Sequence, residues 1–179
     1  MEENIRNIMI TAEELHKRIA ELGAQITNDY QGKNILVLGI LKGAVLFMSD
    51  LIREIKIPLS YDFMAVSSYG ASTRSSGVVR ILKDVERSVE DVHIIVVEDI
   101  VDTGLTLKYL KDNLLGRNPL SVKVVALLDK PTRRQIEVTP DYCGFSIPDE
   151  FVVGYGMDYD EQYRNLPYVG VLNSDAIIA

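Results

Sequence analysis

A chain of 179 residues, 47% apolar and 25% charged, is long enough to bury its own core as one domain and too ordinary in composition for a fibrous or disordered protein. A net charge of −7 opposes a general nucleic-acid surface, which needs clustered Lys and Arg to release counterions. The start Met1-Glu2-Glu3-Asn4 lacks a secretory leader, no apolar run is long enough to cross a membrane, and the one cysteine, Cys143, permits no intrachain disulfide, so a soluble cytoplasmic protein is expected.

Thr11-Ala12-Glu13-Glu14 has the form of a capping box. Leu15, Ile19, Leu22 and Ile26 then recur at helical spacing, which predicts a helix stopping near Gly32. His16 lies beside that stripe without a second ligand and reads as a surface or packed histidine. Residues 34–40 form a continuous apolar run, the pattern of a strand buried on both faces. The turn Leu41-Lys42-Gly43 leads into an amphipathic helix over 44–55. A second strand is expected over 59–67, and then a small, polar stretch over 68–77, too long for a tight hairpin and of the kind that forms lids or disordered loops. Residues 78–82 would pair as a strand on its far side. Further strands are read at 93–97 and 122–128, with a helix at 105–115 between them. Cys143 reads as a small buried apolar residue. Strands alternating with helices indicate an α/β domain, a mainly parallel sheet flanked by helices.

The chemistry concentrates where strand 93–97 ends. Glu98 and Asp99 fall at its carboxyl end, where open α/β sheets bind ligands. Asp102-Thr103-Gly104-Leu105-Thr106 then turns the chain into a helix. Gly104 lets successive N–H groups converge and the threonines add hydroxyl donors, a pocket for one phosphate at a helix N-terminus. Two carboxylates beside a phosphate would repel it. They make sense if they bind hydroxyl groups, directly or through Mg²⁺, on a sugar that carries the phosphate. Neither a Gly-Lys-Ser/Thr ending nor a GxGxxG pattern is present, which excludes the two common nucleotide loops.

The stretch Val96-Val97-Glu98-Asp99-Ile100-Val101-Asp102-Thr103-Gly104-Leu105-Thr106 closely resembles the phosphoribosyl-pyrophosphate signature of type I phosphoribosyltransferases, most of all in the hypoxanthine-guanine branch. Leu41-Lys42-Gly43 resembles that family's pyrophosphate loop, Ser68-Tyr69 its mobile lid, and Leu128-Asp129-Lys130 its purine-contacting lysine. Phe151 to Tyr159, followed by Arg164, resembles its base-binding hood. The likeness runs from about residue 10 to about 172 in the family's order and spacing.

The resemblance implies a single domain over 1–179 whose small hood lobe is built from about 1–15 and about 140–179. It implies Mg²⁺-dependent transfer of the 5-phosphoribosyl group from phosphoribosyl pyrophosphate to hypoxanthine or guanine, giving IMP or GMP and pyrophosphate. Donor ribose and phosphate would meet Glu98, Asp99, Asp102, Thr103, Gly104, Leu105 and Thr106, with Asp102 the general base for the purine proton or only the cap of the helix that follows. Pyrophosphate would meet Lys42, Gly43 and Arg164; in the family the peptide of this loop can be cis. The purine would meet Lys130, Phe151, Val152 and Asp158. Lys130 donates to the exocyclic oxygen and so selects 6-oxopurines. Mg²⁺ would be held by Glu98, Asp99 and Asp158, and Ser68 and Tyr69 would close over the site. Asp160 and Glu161 read as a solvated acidic turn. Relatives are homodimers or homotetramers.

Leu105 stands where relatives often carry a lysine, and Glu150 where some carry a basic residue. A xanthine preference is one alternative. Another is a regulatory RNA-binding relative, which the pI of about 4.9 opposes.

Overall fold

Two apolar runs buried on both faces form the centre of the fold. The computed structural model describes residues 2–68 and 79–177. In chain order its main elements are β1 (Ile5–Ile10), α1 (Ala12–Asp29), β2 (Ile35–Leu41), α2 (Val45–Glu54), β3 (Ser60–Ser68), β4 (Val79–Lys83), β5 (His93–Val101), α3 (Leu105–Leu115), β6 (Ser121–Asp129), β7 (Tyr142–Ser146), β8 (Val152–Val153) and β9 (Val169–Leu172). Side chains alternate across β2 and β5. Ile35, Val37, Ile95 and Val97 pack with Leu15, Ile19, Leu22 and Phe47 of α1 and α2 on one face. Leu36, Leu38, Ile94 and Val96 pack with Leu107, Leu110 and Leu114 of α3 on the other. Helices on both faces of a parallel sheet explain why these strands carry no polar alternation.

The large sheet has six strands in the order β4-β3-β2-β5-β6-β7. All neighbours are parallel except β3 and β4. α1 begins at the expected capping box: the Glu14 N–H donates to Thr11 Oγ1 at 3.2 Å, and the Thr11 N–H to Glu14 Oε2 at 2.8 Å. It ends at Asp29, before the expected stop, and Gly32 with φ +72 serves the turn into β2 instead. β5 also departs from expectation. It continues through Glu98 and Asp99 to Val101, because Ile100 and Val101 still pair with Leu128 and Asp129 of β6. The two acids therefore belong to the strand rather than to the loop beyond it.

A second, three-stranded antiparallel sheet, in the order β1-β9-β8, joins the two ends of the chain. Val153, Tyr163, Leu166 and Leu172 form its small core. Tyr69 and the rest of 69–78 lie outside the described residues; Ser68 is the last residue of β3. Among the described residues no helix is long and apolar enough to cross a membrane.

Candidate active site

The carboxyl ends of β2, β5 and β6 lie side by side, so the segments that follow them meet along one edge of the sheet. Leu41-Lys42-Gly43 follows β2, and the Leu41–Lys42 peptide is cis. Gly43 packs directly on Asp99: a Cβ there would lie 1.6 Å from Asp99 Oδ2, so any other residue would push the Asp99 carboxylate from its place. A cavity of about 260 Å³ opens between this loop, β5 and the start of α3. Glu98, Asp99, Asp102, Thr103, Gly104 and Thr106 line it, with Gly43 opposite. Leu105, expected among them, does not. Its N–H turns to Thr103 Oγ1 at 3.4 Å. Gly104, at φ +86, caps α3 without any side-chain hydrogen bond, and the first turn holds no acid. The positive end of the helix dipole thus faces the cavity without a charged side chain of its own to satisfy it, a setting that favours a bound anion.

Burial pushes the Glu98 carboxyl well above the usual carboxylate range, and neighbouring Asp99 adds to the effect. Glu98 is only 7% exposed. Asp99 is half-buried, and its carboxyl is pushed up to about 6, chiefly by burial. N–H groups of Ile100 and of Asp99 itself and the charge of Arg164 pull it down, while Asp158 raises it. Burial away from water, with a second carboxylate beside each, disfavours the charged form of both acids.

A second cavity, of about 210 Å³, adjoins the first. Lys130, Phe151, Val152 and Asp158 line it, and Asp99, Ile100 and Asp102 belong to both. Lys130 is 8% exposed, its N–H bonded to Val101 O at 2.9 Å and its ammonium 3.9 Å from Asp149. The Phe151 ring is 42% exposed and meets Tyr159 edge-on at 5.6 Å. Glu150 is tied to Arg6 at 2.7 Å and points its charge at the chain's own N-terminal strand.

Lys42 and Arg164 line neither cavity. Arg164 donates to Gly156 O at 2.7 Å and pairs with Asp158 at 2.9 Å. Glu161, dismissed from sequence as a solvated turn residue, bridges both cations. Its carboxylate lies 2.8 Å from Lys42 Nζ and 3.2 Å from Arg164 Nη2. Three further contacts escaped the sequence reading. Arg133 Nε donates to Asp102 Oδ1 at 3.2 Å; Arg134 donates to Asp102 O at 2.6 Å and pairs with Asp129. The basic run 130–134 was the signal, but nothing in it says which arginine turns toward which acid.

Asp99 and Asp158 both face the second cavity and sense each other's charge. Among the described residues no group of three or more His, Cys, Asp or Glu side chains is placed to hold a metal. Two carboxylates facing one cavity suit a hard cation such as Mg²⁺, which takes most of its oxygens from its ligand and from water.

The profile of the phosphoribosyl transferase domain matches residues 9–160. The chain is 53% identical over 176 residues to the hypoxanthine-guanine phosphoribosyltransferase of Mycobacterium tuberculosis, covering 95% of this chain and 87% of that one. It is 52% identical over 172 residues to that of Bacillus subtilis, covering 96% of each. Among solved structures, a hypoxanthine phosphoribosyltransferase from Staphylococcus aureus superposes with a TM-score of 0.97 at 48% identity, over 100% of this chain and 97% of that one.

Proposed function

The chain belongs to the phosphoribosyl transferase domain family, and from that premise we propose that it salvages purines, transferring the 5-phosphoribosyl group from phosphoribosyl pyrophosphate to hypoxanthine or guanine to give IMP or GMP and pyrophosphate. One observation carries this reading. Asp99, Ile100 and Asp102 line both cavities, so a donor in the first and a base in the second would meet across the end of β5.

The 5-phosphate would take the N–H groups and hydroxyls of Thr103 to Thr106 at the start of α3. Glu98 and Asp99 would receive the ribose hydroxyls. The purine would stack on Phe151, meet the backbone of Val152 and accept a hydrogen bond from Lys130 at its 6-oxygen. Adenine, which presents an amino group there, would leave the buried ammonium of Lys130 without an acceptor. As the purine ring nitrogen bonds to the anomeric carbon, with inversion, the bond from that carbon to the pyrophosphate oxygen breaks. The proton on the ring nitrogen passes to Asp102. Lys42 and Arg164 would stabilise the charge gathering on pyrophosphate. Asp99 and Asp158, with Glu98 behind, would hold Mg²⁺, which supplies further positive charge to the pyrophosphate oxygens. A lid at Ser68-Tyr69, a hood lobe made by the β1-β9-β8 sheet, a homodimeric or homotetrameric assembly and a cytoplasmic location complete the reading.

Purified protein with Mg²⁺ and phosphoribosyl pyrophosphate should convert hypoxanthine and guanine and leave adenine and uracil untouched. No turnover of either 6-oxopurine would overturn the proposal; faster turnover of xanthine would move the base preference.

A further inference from the structure

We propose that Glu161 is a built-in stand-in for pyrophosphate, an anion that holds the two pyrophosphate-binding cations before pyrophosphate binds and has to be displaced when it arrives. The proposal rests on the reading that Lys42 and Arg164 receive that group. Each oxygen of the Glu161 carboxylate takes a different cation, Oε2 the Lys42 ammonium at 2.8 Å and Oε1 the Arg164 guanidinium at 3.2 Å. These cations come from positions more than a hundred residues apart in the chain, and one carboxylate spans them as a bridging phosphate oxygen pair would.

Glu161 reaches this place through a shaped turn. Asp160 and Glu161 have φ values of 51 and 59, in the left-handed region, and the Glu161 N–H donates to Asp158 Oδ2 at 2.9 Å. The turn that carries the proposed metal-binding Asp158 therefore also delivers the competing anion. The Lys42 and Glu161 side chains are 67% and 65% exposed, so their pairing is weak and reversible. Such a contact orients the cations without trapping them. A carboxylate with one charge yields to pyrophosphate, which carries several, yet it subtracts from pyrophosphate affinity and so favours release of that product.

The test is calorimetric titration of the intact protein, in the presence of Mg²⁺, with pyrophosphate and separately with IMP. Glu161→Gln keeps the shape and removes the charge. It should tighten pyrophosphate roughly three- to tenfold, the span expected for removing one exposed like charge, while IMP affinity changes less than about twofold. In a Lys42→Gln background the gain should shrink, because part of the competition is for Lys42. A Glu161→Ala variant and thermal melts of both proteins control for loss of the turn. Pyrophosphate affinity that is unchanged or weaker in Glu161→Gln, with the wild type active on hypoxanthine, overturns this inference alone. A wild type that neither turns over hypoxanthine nor binds pyrophosphate overturns the reading beneath it.

Discussion

Asp99 is pressed between the backbone of Gly43 and the two cavities, with its carboxyl held near 6 against an ordinary value of 3.8. A raised value means the folded state keeps this proton more tightly than the unfolded chain. The contribution to stability is most favourable below about 3.8 and is lost as pH rises through 6. At neutral pH the ionised Asp99 thus costs on the order of 3 kcal/mol. Asp99→Asn should raise the melting temperature of the ligand-free protein by roughly 6–12 °C at pH 7.5 and little at pH 4, while weakening donor binding. For the same reason, binding of donor with Mg²⁺ should release protons and weaken as pH falls below 6; a flat affinity profile between pH 5 and 8 would refute the role given to Asp99. Asp102 offers a cleaner kinetic test. If its carboxylate accepts the purine proton, Asp102→Asn should lower kcat by about a hundredfold or more with a much smaller change in donor affinity. Equal losses in both would leave Asp102 a structural role through its pairing with Arg133; the sequence expectation that it caps α3 is not met, since Gly104 caps that helix without a side-chain hydrogen bond.

At the scale of elements, the strap 154–157 is fastened to α2 by one side chain. The Tyr155 hydroxyl donates to Asp50, and burial and that acid together push its pKa far up. α2 is the helix that begins just after the Lys42-Gly43 loop, so this bond ties the strap beside the second cavity to the element that follows that loop. Tyr155→Phe would leave Asp50 short of a partner, at a cost of about 1–3 kcal/mol. It should raise KM for phosphoribosyl pyrophosphate more than KM for hypoxanthine. Urea unfolding and initial-rate kinetics measure the two effects, and an unaltered donor KM would show that the strap needs no such tie. Elements differ in how legible they are. α3 was read to the residue because Leu107, Leu110 and Leu114 give a helical stripe bounded by Gly104 and Gly116. β8 and β9, two and four residues long, are too short for any period to declare itself, and β1 is mostly half-buried or exposed. Their strand character comes from pairing: β1 with β9 across nearly the whole length of the chain, and β8 with β9 across the strap between them.

For the molecule as a whole, the site exists because a strap from one sheet lies on a loop from the other. Gly156, at φ +99, stacks on Gly43: a Cβ on it would lie 2.1 Å from Gly43 O. Gly156→Ala should force the two segments apart and lower kcat/KM at least about tenfold, since misplacement by an ångström can cost far more than that. The six-stranded sheet, built elsewhere, should keep the loss in melting temperature to a few degrees. Kinetics indistinguishable from wild type would show that the strap can shift without moving the loop.

The sequence by itself determined the α/β class, the central strands, the capping box that opens α1 and the position of the Glu98–Thr106 segment. Those features follow from local periodicity and from backbone geometry that few residue types can supply. It also singled out Lys130, Phe151, Val152 and Asp158, through their resemblance to a known arrangement and not through any local physical necessity. Only the tertiary structure decided that Glu98 and Asp99 lie within β5, because that depends on how far β6 runs beside it. Only the tertiary structure turned Arg133 toward Asp102 and Glu161 toward Lys42 and Arg164. Such long-range charge pairs leave no pattern along the chain. The Glu98–Thr106 segment could be read from its residues, whereas the pairing of Glu161 with Lys42 and Arg164 could be found only once the chain had folded back on itself.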